Sequence, residues 1–213
     1  MINYHIIHND NIKIDWLTKG QIGGWTPMET IEEEFIKVIN GVDVNKLQAT
    51  IDAINKDPDL ASFTFRTVTE WVDGARNKTL VERQTAKGEK GEPFVLVSDE
   101  PELLMGGGTA PNSIALVLQA LASCLSVSMV YHAAAREMQI DKLTISIDGD
   151  IDLHGFLGLS SEVRPGFQDI RVEVDVQSPA PREEIEELLR YAQKVSPVVD
   201  SLRNRIPVEI SLR

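Results

Sequence analysis

Between Glu102 and Arg136 the sequence contains no Asp, Glu, Lys or Arg, and most of that interval reads IALVLQALASCLSVSMVYHAAA. If helical, the stretch is long enough to cross a bilayer. It nevertheless carries Gln119, Ser123, Ser126, Ser128 and His132, is rich in alanine, and lies between segments patterned as ordinary strands. The reading adopted is a core helix. A helix apolar on nearly every face belongs in the middle of a domain or sandwiched between subunits, so whatever this chain folds into is organised around it.

The flanking segments define the fold class. Phe63, Phe65, Thr67, Thr69 and Trp71 alternate with polar or β-branched neighbours, which predicts a half-buried strand from Ser62. Asp73-Gly74 turns the chain, TLVERQTA returns it, KGEKGE turns it again, and PFVLVSD completes a three-strand meander. The glycines of the loop from Glu100 to Asn112 read as a flexible entry to the apolar helix. No Lys-Ser or Lys-Thr follows them, so they do not form a phosphate-cradling loop. Beyond the helix, KLTISIDGDIDL and FQDIRVEVDVQS are alternating strands, PREEIEELLRYAQKV is an amphipathic helix, Ser196-Pro197 starts another, and IPVEISLR closes as a strand. The order describes an α+β domain, antiparallel sheets packed around a long buried central helix. Residues 1–60 differ in character, with predicted helices over Met28–Asn40 and Val44–Lys56, the second capped by Asp43. They read as an N-terminal helical extension to a domain over 61–213.

Charge and cysteine content narrow the functions. Twenty-one basic against 33 acidic side chains give a net charge of −12, a field that repels nucleic-acid backbones and anionic lipid. The expectation is therefore no nucleic acid and no membrane partner. The single cysteine, Cys124, excludes an internal disulfide and a multi-thiolate metal site. The N-terminus lacks the pattern of an export signal, so a cytoplasmic location is expected. No His, Asp or Glu grouping has metal-ligand spacing, and neither a metal nor another cofactor is expected. Read from residues alone, Cys124 is either a small apolar filler or a nucleophile.

The order of strand, Asp-Gly-x-Arg turn, two strands, Gly-rich loop, Pro-Asn-Ser and alanine-rich cysteine helix resembles the OsmC and organic-hydroperoxide-resistance (Ohr) family. The phrases that carry the resemblance are DEPELLMGGGTAPNSIALVLQALASCL, IDLHGFLGL with RPGFQDIRVEVDV, and KVSPVVDSL with IPVEISL. The resemblance implies an intertwined homodimer with the cysteine helices central and the sites at the subunit boundary. It also implies a thiol-dependent peroxidase: the cysteine attacks an organic hydroperoxide, becomes a sulfenic acid, and is restored by an external thiol reductant. That chemistry needs a thiolate, hence a nearby cation. By register the family's turn arginine is Arg76, which would be the electrostatic partner of Cys124, with Arg66 as the second candidate. Read without the family, Arg76 is equally a solvent-exposed turn residue.

Two family residues are missing. The Asn-Pro-Glu phrase whose acid holds the arginine is Asn112-Ser113-Ile114 here, and the next position, Ala115, supplies no acid either. Glu100 and Glu102 in the preceding loop are the remaining acids nearby. The family's second cysteine, in Cys-Pro, is replaced in Ser196-Pro197, where serine reads as a helix N-cap. Its hydroxyl cannot resolve a sulfenic acid, so an external thiol would have to. His132 follows Cys124 by eight residues, roughly 80° around a helix, and is no direct base for it. His5, His8 and His154 show no pattern. These departures leave a second expectation open, a catalytically lapsed dimer whose cleft binds a hydrophobic small molecule or a protein partner.

Overall fold

Asn112 starts the apolar helix: its side-chain oxygen accepts the Ala115 N–H at 2.9 Å, which satisfies one of the free donors of the first turn. The helix, α2, runs Ser113–Ala135 and ends at Arg136, followed by Glu137 at φ 58°. In this computed structural model, residues 36–84 and 91–212 are described. Before α2 come β1 (Val38–Ile39), β2 (Val42–Asp43), α1 (Val44–Lys56), β3 (Thr67–Asp73), β4 (Arg76–Arg83) and β5 (Gly91–Ser98). After it come β6 (Lys142–Asp150), α3 (Leu153–Phe156), β7 (Asp169–Gln177), α4 (Arg182–Val195) and α5 (Pro197–Arg203). The architecture is α+β, as expected. β3, β4 and β5 form an antiparallel meander in that order, and β6 and β7 pair antiparallel from Lys142↔Gln177 to Asp150↔Asp169.

The core lies where α2 meets the β6–β7 pair, α4 and α5. Leu121, Leu125, Met129 and Ala133 recur every fourth residue along one stripe of α2 and pack with Leu188, Ala192 and Val199. The inner residues of the strand pair, among them Leu143, Ile145 and Val174, close against this cluster. Burying one stripe is what an amphipathic helix does, yet α2 is apolar all round. Its remaining faces are half-buried or open, with Val127 and Tyr131 exposed. Within a single chain the central helix is covered on one side only.

Several expectations are revised. Of the helix expected over Met28–Asn40, residues 28–35 lie outside the described residues, and Val38–Ile39 instead pair with Val42–Asp43. Asn40 at φ 53° and Gly41 at φ 76° make the turn between them, a backbone conformation these two residues tolerate. The Asn40 amide also clamps the chain beyond α2, donating to Met138 O at 2.9 Å and accepting from Ile140 N at 2.8 Å. The first meander strand begins at Thr67 rather than Ser62 and is exposed on both faces. The triple glycine is a tight anchor rather than a flexible entry. A Cβ at Gly106 would sit 1.8 Å from Glu100 O, and the Gly107 N–H is bound by Asp99. Residues 205–212 join no sheet, and Ile206, Val208, Ile210 and Leu212 are exposed. A strand needs a partner edge, and a single chain does not offer this segment one.

Candidate functional site

Cys124 occupies the middle of α2 and is half-buried. Its sulfur accepts a hydrogen bond from the Ser196 hydroxyl, Oγ to Sγ 3.2 Å. Ser196 lies between α4 and α5 and is completely buried. It occupies the N-cap position of α5, with Pro197 at the first helical position as the sequence suggested, but its side chain makes no capping bond. The backbone explains how the serine is held: its N–H donates to Ala192 O at 2.9 Å and its carbonyl accepts from Asp200 N at 3.0 Å. The hydroxyl turns away from the helix end towards α2. The sequence placed Ser196 at the family's second-cysteine position and read it as a helix cap; the structure instead puts its hydroxyl on the sulfur of Cys124.

Arg76 opens β4, just after the Asp73-Gly74 turn. Its guanidinium grips Asp73 with two bonds, Nε to Oδ1 at 2.7 Å and a second nitrogen to Oδ2 at 2.8 Å. The bidentate fit raises the arginine further into its charged range and holds the Asp73 carboxyl below its usual value. An acid does hold the arginine, but it is neither Glu100 nor Glu102: Asp73 reaches it because three residues span a tight turn. Glu100 instead accepts from the Asn112 amide at 3.3 Å. Among the described residues all the side-chain hydrogen bonds of Arg76 go to Asp73, so within one chain Arg76 and Cys124 are not bonded to each other. Arg66 precedes β3 in an exposed stretch.

The meander tip and the loop before α2 meet at Asp99. Pairing of Asn77 with Ser98 sets Asp99 beside the start of β4, and its negative charge adds to the field that keeps Arg76 charged. Asp99 is buried, and its two oxygens accept from the N–H groups of Glu100, Gly107 and Thr109 and from the Thr109 hydroxyl at 2.7 Å. These bonds, led by the Thr109 hydroxyl, hold its carboxyl below the ordinary range. Composition gave no sign of this residue, which fixes the path of the loop into the cysteine helix.

The histidines stand apart. His132 packs edge-on against Tyr191, centroids 4.7 Å apart, with Arg136 over the other ring, and burial followed by the Arg136 charge lowers its pKa. His154 binds Asp152 at 2.7 Å, and His5 and His8 lie outside the described residues. No group of three His, Cys, Asp or Glu is placed to hold a metal among the described residues. Beside the core runs a cleft of about 500 Å³ lined by Leu121, Leu125, Ile170, Leu189 and Val199, with Arg164 and Arg203 among its polar lining.

A family profile described as OsmC-like protein matches residues 106–211, the interval from the anchored glycines to the exposed terminal segment. The chain carries an OsmC-family domain. The fold agrees with solved OsmC-like structures. One, the OsmC-like protein of Mycoplasma pneumoniae, is 17% identical, with 67% of this chain and 89% of that one covered at a TM-score of 0.55. Another, an OsmC-like protein of unknown function from Vibrio cholerae O1 biovar eltor, is 11% identical, covering 66% and 94% at a TM-score of 0.50. No protein with a curated description matches the chain by sequence. The OsmC-like region thus includes Cys124, Ser196 and the second half of the loop organised by Asp99, while Asp99 and Arg76 lie ahead of the matched interval.

Proposed function

We propose that this OsmC-like protein reduces organic hydroperoxides through Cys124, with an external thiol as reductant. The observation that carries the reading is the state of the cysteine: it sits on the OsmC-like core helix, half-open, with a buried hydroxyl directed at its sulfur. The thiolate attacks the distal oxygen of the hydroperoxide, an S–O bond forms, the O–O bond breaks, and the alkoxide takes a proton from water to leave as an alcohol. Sulfur loses two electrons and becomes the sulfenic acid. A first external thiol condenses with it, releasing water and leaving a mixed disulfide, and a second restores Cys124 as the reductant leaves oxidised. Arg76, kept charged and oriented by Asp73, supplies the cation that the anion requires.

In this reading the site is completed by a second copy. β3 to β5 expose Val68, Trp71, Val72, Phe94 and Val95, and α2 leaves an open stripe along Ala115, Gln119, Ser123, Val127 and Tyr131. A homodimer would cover both and carry the meander tip with Arg76 to the partner's cysteine helix. The same packing accounts for an apolar 23-residue helix without a bilayer. The net charge of −12 favours neither nucleic acid nor anionic lipid as partner, and a peroxidatic thiol suits a reducing cytoplasm.

The deciding experiment is steady-state consumption of cumene hydroperoxide with dihydrolipoamide or dithiothreitol. Turnover in the wild type should vanish in Cys124→Ser and fall on the order of a hundredfold in Arg76→Ala. Absence of turnover in the wild type overturns the reading. A second function is favoured by the 500 Å³ cleft: binding of an apolar small molecule without chemistry. It requires a ligand retained equally by wild type and Cys124→Ser.

A further inference from the structure

We propose that Ser196 is the hydrogen-bond donor that positions the sulfur of Cys124 and favours its anion, an assignment that rests on the peroxidase reading above and adds a residue to it. Three observations carry it together. Ser196 is fully buried, so its hydroxyl has no water to turn to. It occupies a helix N-cap yet leaves the cap unmade, forgoing the bond that serine ordinarily makes at that position. Among the described residues its one side-chain partner is Cys124 Sγ at 3.2 Å, on a helix 72 residues away in sequence.

The direction of the effect follows from the chemistry of the acceptor. A neutral thiol accepts weakly, whereas a thiolate accepts an O–H as a charge-assisted bond. The same hydroxyl therefore stabilises the anion more than the acid. Because the serine backbone is pinned at both N–H and carbonyl, the donor is in place before the proton leaves, and no side-chain ordering accompanies ionisation. A carboxylate at this place would oppose the anion and a methyl group would leave it without a donor.

The nearby ionisable groups do not replace it. On the elements that pack around the pair these are Tyr131 and His132 of α2, the acidic and basic residues of α4 from Arg182 to Lys194 together with Tyr191, Asp200 and Arg203 of α5, and Lys142, Asp148 and Asp150 of β6. None of them hydrogen-bonds the sulfur. The charges they carry are common to wild type and Ser196 variants, so a comparison between those proteins isolates the hydroxyl.

The test follows alkylation of the full-length protein by iodoacetamide across pH. Ser196→Ala should displace the profile towards higher pH by about one unit, the effect of losing one bond to a charged group. At pH 7 the rate should fall only about threefold, because a more basic thiolate is also more nucleophilic. Ser196→Thr keeps the hydroxyl and should retain the wild-type profile. An unchanged profile in Ser196→Ala, or an equal displacement in Ser196→Thr, overturns the assignment in favour of packing alone. Ser196→Cys supplies a check that survives poor folding of the alanine variant. Diamide, which takes one hydrogen from each of two thiols, should close an internal disulfide to Cys124 in it, and retention of both thiols overturns the proximity. If wild type shows these thiol properties but consumes no hydroperoxide, the peroxidase reading fails and the donor assignment stands.

Discussion

Asp99 shows how one buried carboxylate fixes a path that composition leaves open. One of its oxygens takes the Glu100 N–H, and the other takes three donors from Gly107 and Thr109. Because its titration is depressed in the folded protein, the charged form stabilises the fold above the ordinary carboxylate pKa, and that contribution is lost as pH falls through the lowered value. Asp99→Asn, which turns an NH₂ towards donors, should lower the thermal midpoint at pH 7. The deficit should shrink as pH is taken below about 4, where the unfolded carboxyl is protonated. A deficit independent of pH would show that shape, rather than charge, matters there. At this scale the sequence was legible only in part. Cys124 stood out as the single thiol and Arg76 only through the family register, while Asp73 was hidden inside a turn phrase; Ser196 was placed by register at the family's second cysteine, but its local reason as a cap concealed its bond to the sulfur.

Elements were legible wherever a period ran long enough to choose a face. β6, β7 and α4 follow alternation and helical spacing closely, and α2 was evident from the lack of charge. The failures lie where the partner decides. Val38–Asp43 turned out to be a two-residue-strand hairpin, since Asn40-Gly41 admits positive φ and the Asn40 amide finds Met138 O and Ile140 N about a hundred positions away. No periodicity reports such a clamp. Asn40→Gly keeps the turn conformation and removes both bonds, so it should cost about 1–3 kcal/mol in chemical denaturation. A loss near zero would mean that β1 and β2 rest on α2 without being fastened to it. The same clamp makes part of the stretch read as an extension, residues 38–43, continuous with the fold around α2.

For the whole molecule, the apolar surface left open is the dominant fact. A three-stranded sheet with Trp71, Val72, Phe94 and Val95 in water has little to hold it together alone. The homodimer proposed above predicts a sedimentation mass of twice 23.7 kDa at micromolar concentration. Tyr131→Glu, on the open stripe of α2, should yield monomer and lose hydroperoxide turnover together. A stable, fully active monomer would place Arg76 outside the mechanism. This level was the least legible in the sequence, because alternation in 205–212 marks a strand but does not say which chain supplies its edge.

If the proposed homodimer supplies the missing edge to residues 205–212, the survival of the protein depends on its abundance. A newly made chain carries Ile206, Val208, Ile210 and Leu212 in the open, a segment fit for pairing and equally fit for a protease or an unrelated strand. Encounter with a second copy is second order in concentration, whereas cleavage is first order. Halving synthesis would then more than halve the amount of sound protein, and a substitution that weakens pairing of 205–212 would act as a dose effect before it acted on any chemistry.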